Sequence, residues 1–376
     1  MNPGLYIHIP FCEQRCYYCA FTVAVAPEQT FAPYVDRLVR EIGLSGFDSD
    51  PGTVYFGGGT PSLVNADLIG RILKTLRSVP EEVSIEVNPG TLSETKVEKY
   101  RDLGISRISL GAQSLEDDDL ERAGRLHKAE AVLSDFELLR RQGFTNVNLD
   151  LIAGLPGQQL HTWTRNLDRV LELRPEHISI YMLDQEERSA WAKLPAGVPD
   201  DSDFAAFYSL AESKLDAHGY THYEISNWAL PGRACVHNLG YWSGSPYRGV
   251  GVGAHSFDGS RRFWNTPSLA DYAVSLDSGR LPIAGEEILS ADIQLEEAFM
   301  LGLRQTAGID VQSIARRFGL TYAPEWFVRA RQLEEADLIR FDGGTLQLTA
   351  KGRLAANSVI EELLWPTPTS TSPHCP

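Results

Sequence analysis

Three cysteines, Cys12, Cys16 and Cys19, lie within eight residues near the start of the chain. Their spacing is C-x3-C-x2-C, and no fourth cysteine lies nearby. A structural zinc site normally has four protein ligands, and a four-iron cluster is normally held by four thiolates. Three thiolates on a four-iron cluster would leave one iron open to a small molecule. The spacing therefore favours an iron–sulfur cluster with one open coordination position.

Other roles for these cysteines have to be weighed against the cluster. A disulfide framework is disfavoured because the chain has only five cysteines, an odd number, and no secretion signal precedes them. A zinc site would need a distant fourth ligand such as His8 or Cys235, and zinc or free thiols stay open as alternatives. Aromatic residues fill the gaps between the thiols, as expected around a cluster whose potential is set by solvent exclusion.

Composition limits the classes of function. The chain has 376 residues, and 34 basic against 50 acidic residues give a formal charge of −16. Nucleic-acid binding usually needs a basic surface, so we expect no nucleic-acid partner. No apolar stretch approaches the length of a membrane span. We therefore expect a cytoplasmic protein without a membrane-spanning segment.

Short apolar runs alternate with amphipathic segments through the first half of the chain. Apolar residues at helical spacing between the runs, such as Leu160, Trp163 and Leu167, predict helices. Repeated strand–helix alternation predicts an α/β fold, an incomplete parallel (β/α)6 barrel. The candidate strands are residues 5–9, 53–56, 83–87, 107–110, 146–152 and 177–182.

Polar or glycine-rich residues follow five of these six strands. The cysteines follow the first strand, and a Gly-Gly-Gly-Thr-Pro run at 57–61 follows the second. Glu86, Gln113 and Asp150 lie at or near the ends of the next three. Active sites of (β/α) barrels are built at the carboxyl ends of the strands. We therefore predict that these residues form one site with the cysteines.

The whole chain divides into four parts. Residues 1–183 would form the barrel, 184–290 a less regular extension, 291–365 a winged-helix-like α+β unit, and 366–376 a disordered tail containing Cys375. A Gly-Val-Gly-Val-Gly run at 249–253 predicts a strand or turn where two backbones approach closely. The last unit is predicted from helices at 295–303, 311–318 and 324–335 and a hairpin at 338–348.

The run YIHIPFC at 6–12, followed by Cys16, Tyr18 and Cys19, resembles the opening of radical S-adenosylmethionine (SAM) proteins of the oxygen-independent coproporphyrinogen III oxidase-like branch. The resemblance extends to about residue 365. It implies that SAM binds the open iron of a [4Fe–4S] cluster held by Cys12, Cys16 and Cys19. It also implies reductive cleavage of SAM to methionine and a deoxyadenosyl radical. The SAM-contacting positions carried over are Tyr6, Tyr18, Gly58, Gly59, Thr60, Glu86, Gln113, Arg125 and Asp150.

Within that branch the chain is most similar to the haem chaperone (HemW) members. The dehydrogenases carry a further cysteine two places after the third ligand, where this chain has Phe21, and they have a longer N-terminal extension. The run HNLGYW at 237–242 matches a motif of the chaperones. The resemblance implies that His237, Tyr241 and Trp242 bind haem, the histidine as a candidate axial ligand and the aromatic rings against the porphyrin.

Three functional hypotheses from two classes follow. The first is a haem chaperone that binds haem, a [4Fe–4S] cluster and SAM and delivers haem to a recipient apo-protein. The second is an oxygen-independent coproporphyrinogen III dehydrogenase, and a radical SAM enzyme acting on some other substrate is a third. An electron donor and a second copy of the chain, as a homodimer, are the further partners expected.

Overall fold

A twelve-stranded sheet forms the body of the protein. The computed structural model describes residues 2–46, 50–183 and 197–364. The six predicted strands are all present, adjacent in the sheet and parallel, which confirms the incomplete (β/α)6 barrel. They are β1 Gly4–Ile9, β2 Thr53–Gly58, β3 Glu82–Val87, β4 Arg107–Gln113, β5 Val147–Ala153 and β6 His177–Met182.

Helices cover this parallel sheet and bury a common core with it. Polar side chains cap the second and third of them: Asn65 accepts a hydrogen bond from the backbone amide of Asp67 at 2.9 Å, and Ser93 accepts one from that of Lys96. Val54, Ile108 and Leu149 are fully buried, as expected for strands covered by helices. The barrel helices are α1 Phe31–Leu44, α2 Ala66–Leu73, α3 Glu94–Asp102, α4 Asp117–Arg122, α5 Ala129–Arg141 and α6 Leu160–Leu173.

The segment after β6 is more regular than the sequence indicated. It adds α7 Asp201–Ala217, α8 Val236–Trp242 and α9 Leu269–Asp277, and its strands extend the sheet at both edges. These strands are short and many of their residues are polar, so the alternation of apolar and polar residues did not predict them. They are β7 Thr221–Glu224, β8 Asn227–Ala229, β9 Tyr247–Val250, β10 His255–Phe257, β11 Arg261–Asn265 and β12 Ile283–Ile288.

The glycine run lies at the junction between barrel and extension. Strand β9 pairs in parallel with β1, and the chain then turns into antiparallel β10, β11 and β12. A Cβ on Gly249 would lie 2.0 Å from the carbonyl oxygen of His255, and one on Gly251 would lie 2.6 Å from that of His8. The predicted close backbone approach is therefore confirmed.

The C-terminal unit has its own hydrophobic core around Phe299, Trp326 and Leu346. The predicted helices and hairpin are present, and the hairpin turns on Gly343 and Gly344, both at positive φ. Arg262 of β11 contacts Glu297 at 2.8 Å and ties the unit to the sheet. Its elements are α10 Ala291–Gly302, β13 Ile309–Asp310, α11 Val311–Phe318, α12 Pro324–Glu335, β14 Ile339–Asp342, β15 Thr345–Leu348, α13 Ala350–Leu354 and α14 Ala356–Leu364.

Two predictions about the ends and divisions of the chain stay predictions. The domain boundaries at 183 and 290 are not tested by the fold. The tail at 366–376, with Cys375, lies outside the described residues. Across the described ranges, no helix combines the length and apolar character that a membrane crossing requires.

Candidate functional site

The cysteine loop leaves the carboxyl end of β1 and covers the top of the barrel. A two-residue pairing of Phe11–Cys12 with Ala24–Val25 closes the loop, and the backbone amide of Cys19 donates to the carbonyl of Cys16 at 3.2 Å. All three cysteines line a cavity of about 380 Å³, which we call the cysteine cavity. Its other walls come from the carboxyl ends of β2 to β6, the place that barrel geometry predicts for a site.

The structure brings eight of the nine predicted SAM-contacting residues into this cavity. Tyr6 is the exception and faces a second, larger cavity together with His8. The eight residues that line the cysteine cavity are Tyr18, Gly58, Gly59, Thr60, Glu86, Gln113, Arg125 and Asp150.

The three thiols of the cysteine loop are partly buried. Burial raises the pKa of the Cys12 thiol to about 11, although the Thr60 hydroxyl donates to its sulfur at 3.6 Å. Iron must therefore displace a proton when it binds there. Within the described residues, no three His, Cys, Asp or Glu side chains converge closely enough to hold a single metal ion. The thiols instead border a cavity with room for a larger group.

Arg125 lines the cysteine cavity and hydrogen-bonds both the cysteine loop and strand β4. Its guanidinium donates to the Cys16 sulfur at 3.4 Å, to the Tyr18 hydroxyl at 3.2 Å and to the Gly111 carbonyl at 2.9 Å. It also contacts Asn88. Its Nε is buried without a hydrogen-bond partner among the described residues. A buried N–H donor facing a cavity next to thiols fits the binding of an anionic cluster or of the carboxylate of SAM.

Glu86 is a buried carboxyl group that is held in place from two sides. The Tyr55 hydroxyl donates to one oxygen at 3.1 Å, and the backbone amide of Gly58 donates to the other at 3.1 Å. Burial, and then the charge of Asp150, raise the pKa of Glu86 to about 8. A cationic group entering the cavity would be stabilised by the ionised form of this side chain.

Asp150 belongs to a hydrogen-bonded network inside the barrel. It accepts from the Ser109 hydroxyl at 3.0 Å and from the Asn148 amide at 2.8 Å. Asn148 Oδ1 is in turn 2.7 Å from Nδ1 of His177. Burial raises the pKa of Asp150, and these hydrogen bonds oppose the rise. The network fixes the carboxyl group at the cavity wall before any ligand is present.

The larger cavity, of about 770 Å³, lies between the barrel, the extension and the C-terminal unit. It shares Ala20, Phe21, Gly58 and Glu86 with the cysteine cavity, so the two spaces adjoin. Aromatic and cationic side chains face into it from three parts of the chain. They include Tyr241, Trp242, Tyr247, His255, Phe257, Arg262 and Arg317.

The predicted haem motif divides between the cavity wall and the core behind it. Tyr241 and Trp242 line the larger cavity, whereas His237 is 3% exposed and does not. Nδ1 of His237 is 2.7 Å from the Thr53 hydroxyl, and Nε2 is 2.8 Å from the Tyr241 hydroxyl. Burial lowers its pKa to about 3. In this arrangement both nitrogens lie within hydrogen-bond distance of protein hydroxyl groups, and His237 as an axial ligand stays a prediction.

Cys235, the other thiol considered as a ligand, also has its contacts inside the protein. It is fully buried, its sulfur lies 3.4 Å from Glu82, and burial raises its pKa to about 12. Glu82 also accepts from the backbone amides of Val236 at 3.1 Å and His237 at 3.3 Å. A carboxylate at the first turn satisfies otherwise unpaired amides and favours the start of α8.

Comparisons with known proteins agree with this geometry. The radical SAM superfamily model matches residues 6–170, and the HemN C-terminal domain model matches residues 289–355. The chain is 35% identical to the haem chaperone HemW of Bacillus subtilis, over 96% of this chain and 98% of that protein. It is 36% identical to HemW of Escherichia coli over 67% and 69% of the two chains.

The chain belongs to the HemW family of radical SAM proteins. A solved structure of coproporphyrinogen III oxidase (HemN) from Escherichia coli superposes with a TM-score of 0.84 and 25% identity, covering 96% of this chain and 90% of that one. The predicted resemblance and fold class are confirmed. Membership in the radical SAM superfamily implies a [4Fe–4S] cluster and SAM as cofactors.

Sequence analysis of this HemW-family chain missed several residues that support the predicted ones. Tyr55 holds Glu86, Ser109 holds Asp150, and Asn88 contacts Arg125. Ser109 could have been found, because it lies four residues before Gln113 on β4 and the period of a strand places both on one face. Asn88 lies just past the end of β3, where barrel sites are built.

Proposed function

We propose that this protein is a haem chaperone, which binds haem beside a [4Fe–4S] cluster and SAM and delivers the haem to a recipient apo-protein. One observation carries the proposal: a cavity of about 770 Å³ with aromatic walls adjoins the cysteine cavity. Pockets for cofactor-sized ligands fall in the range of about 300–1,000 Å³ and are lined mainly by apolar groups. Relatives named as haem chaperones support the same function.

In this proposal the cysteine cavity holds the two cofactors that the family implies. Cys12, Cys16 and Cys19 hold the cluster, and the three thiols, the buried Arg125 donor and the two buried carboxyl groups fit that role. Glu86 and Asp150 offer negative charge to the cationic amino and sulfonium groups of SAM, while Arg125 faces its carboxylate. When bound, the cluster and SAM supply one-electron chemistry, and the barrel residues orient them and limit the access of water.

The haem motif contributes to the larger cavity through its aromatic residues. Tyr241 and Trp242 present flat rings to the porphyrin, and His237 fixes Tyr241 through the hydrogen bond between its Nε2 and the phenol. His237 therefore acts through Tyr241 as a positioning residue. The recipient protein, the electron donor and a homodimeric state stay predictions.

A haemin titration of the cluster-loaded protein under anaerobic conditions tests the proposal. We expect saturable binding of one haem per chain, followed by a Soret band, and transfer of that haem to apomyoglobin offered as an acceptor. Absence of saturable binding would overturn the chaperone function. A chain loaded with cluster but lacking SAM provides the comparison that tells whether SAM influences transfer.

The second candidate is oxygen-independent coproporphyrinogen III dehydrogenase activity. The superposition on HemN over nearly the whole chain favours it. Phe21, which is 68% exposed between the two cavities, stands where the dehydrogenases carry a cysteine and argues against it. Anaerobic incubation with coproporphyrinogen III, SAM and dithionite should give no protoporphyrinogen. Formation of that product at catalytic turnover would favour the dehydrogenase instead.

A further inference from the structure

His255 stands on the wall of the larger cavity at a position that the sequence did not single out. It begins β10, and its side chain faces the cavity together with that of Phe257, two residues later. Ser256 between them points the other way, is 1% exposed and hydrogen-bonds the backbone of Gly249. The two-residue period of the strand thus presents an imidazole and a phenyl ring to the same space.

The imidazole of His255 differs from those of the neighbouring histidines in its hydrogen bonds. His8 also lines the cavity, but its nitrogens lie 3.1 Å from the Tyr6 hydroxyl and 2.8 Å from the Thr22 carbonyl. His237 is satisfied on both nitrogens as well. No hydrogen bond joins either nitrogen of His255 to another described residue. Its contact is a stacked ring, Trp264, with centroids 5.7 Å apart.

The charge state of His255 suits a metal ligand. Burial, and then the charge of Arg262, lower its pKa below the usual value for histidine. The ring is therefore neutral at physiological pH, and a neutral imidazole has the lone pair that iron binds. The stacked ring of Trp264 supports one face of the imidazole.

Other iron ligands facing the cavity are less suitable. No cysteine or methionine stands among the described residues of its wall. The phenols of Tyr241 and Tyr247 face it, but burial raises the pKa of both, so the phenolate needed for iron is disfavoured. Glu86 and Glu297 are held by hydrogen bonds or an ion pair within the protein.

The rest of the cavity matches the other parts of a haem molecule. Trp242 and Phe257 offer apolar rings to the macrocycle. Arg317 on α11 faces the cavity from the C-terminal unit, and across the described part of the chain it has no carboxylate partner. Its guanidinium lies 4.9 Å from the ring centroid of Phe318, and a guanidinium that pairs with no carboxylate is suited to a propionate group.

We infer that His255 supplies the axial nitrogen ligand of haem iron in the larger cavity, with Arg317 pairing a propionate. Coordination is donation of the imidazole lone pair to the iron, so no electron transfer or further reactant is needed. The inference rests on the proposed haem chaperone function and specifies its ligand. It also assigns different roles to two histidines, because His255 contacts iron while His237 only positions Tyr241.

The test compares His255→Ala with His161→Ala, a substitution at another exposed histidine, far along the chain on α6. Cluster-loaded proteins are titrated with haemin and, separately, with iron-free protoporphyrin IX. We expect His255→Ala to weaken haemin binding by about tenfold or more, because one strong contact is lost. The substitution should also shift the Soret band. Protoporphyrin affinity should be unchanged, added imidazole should restore the Soret position, and His161→Ala should match the wild type.

The other outcomes distinguish a wrong ligand assignment for His255 from a wrong proposal of the haem chaperone function. If wild type and His255→Ala bind haemin with equal affinity and spectra, the ligand assignment is wrong and the chaperone function stands. If His255→Ala loses haemin and protoporphyrin equally, the side chain only shapes the cavity, and the assignment is again wrong. If the wild type binds no haemin saturably, the proposed function itself fails.

Discussion

The cysteine cavity and the larger cavity are built in opposite ways. The first is assembled from the ends of neighbouring parallel strands, and its polar groups, such as Glu86, Asp150 and Arg125, are buried and held by protein partners. The second is enclosed by three separate parts of the chain, and its key groups, His255 and Arg317, lack hydrogen-bond or carboxylate partners among the described residues. A preorganised site suits a resident cofactor, whereas a cavity with free ligands suits a cargo that must leave.

The largest effect expected from this contrast concerns the cysteines. Cys12→Ala should abolish cluster binding, because a cubane held by two thiolates loses a ligand that nothing nearby replaces. Iron and sulfide content and the charge-transfer absorbance report the loss. Cys235→Ala is the matched control and should keep the cluster, since that thiol lies against Glu82 away from the cavity. Full iron and sulfide in the Cys12 variant would contradict the cluster assignment.

The two histidines should differ in stability. His237→Ala removes two buried hydrogen bonds and leaves Thr53 without one of its partners, so the free energy of unfolding should fall by about 2–3 kcal/mol. His255→Ala alters an exposed side chain and should change it by less than about 0.5 kcal/mol. Urea unfolding of the apo-proteins measures both. Equal destabilisation would remove the distinction between a core and a ligand histidine.

The pH dependence of SAM binding sharpens the description of the cysteine cavity. Since the pKa of Glu86 is raised to about 8, the carboxyl group is protonated near pH 6 and must lose its proton to stabilise a cationic ligand. SAM affinity should therefore rise by up to about tenfold per pH unit as the pH approaches 8. Between about 4.5 and 8, the same shift makes the apo-protein less stable as pH rises, because the folded state holds the proton more tightly.

Calorimetric titration of the cluster-loaded protein at pH 6, 7 and 8 measures this dependence. Glu86→Gln should bind SAM more weakly and with a flatter pH profile. A wild-type profile as flat as that of the variant would show that Glu86 does not titrate on binding.

The smallest effect is expected at the mouth of the larger cavity. Arg317→Ala should weaken haemin binding by about two- to fivefold, the value of one exposed ion pair, and the difference should shrink at high salt. Arg316→Ala is the matched control, because Arg316 is adjacent, is exposed and pairs with Ser313. Equal effects of the two substitutions would indicate a general charge effect and not a propionate contact.

The sequence predicted the barrel and most of the cysteine cavity because most residues there follow a strand end, whereas Arg125 follows α4 and was predicted only from the family resemblance. Glu86 and Asp150 stand on apolar strands where only a site explains them, and period and position suffice to bring them together. His255 gave no such signal, since β10 has three residues and follows a glycine run that indicated a turn. Its role depends on α10 and α11 closing the space above it. The partners of His237 come from β2 and from its own helix, and spacing alone could not distinguish a ligand from a core residue.

The wall formed by Ala20, Phe21, Gly58 and Glu86 belongs to both cavities. If the two ligands bind as proposed, their affinities are thermodynamically reciprocal: whatever factor SAM imposes on haem affinity, haem imposes on SAM affinity. The sign and size of that factor are set by how these four residues respond to occupation of either side. The concentration of SAM would then change the fraction of the protein that holds haem, while the residue that coordinates the iron stays the same.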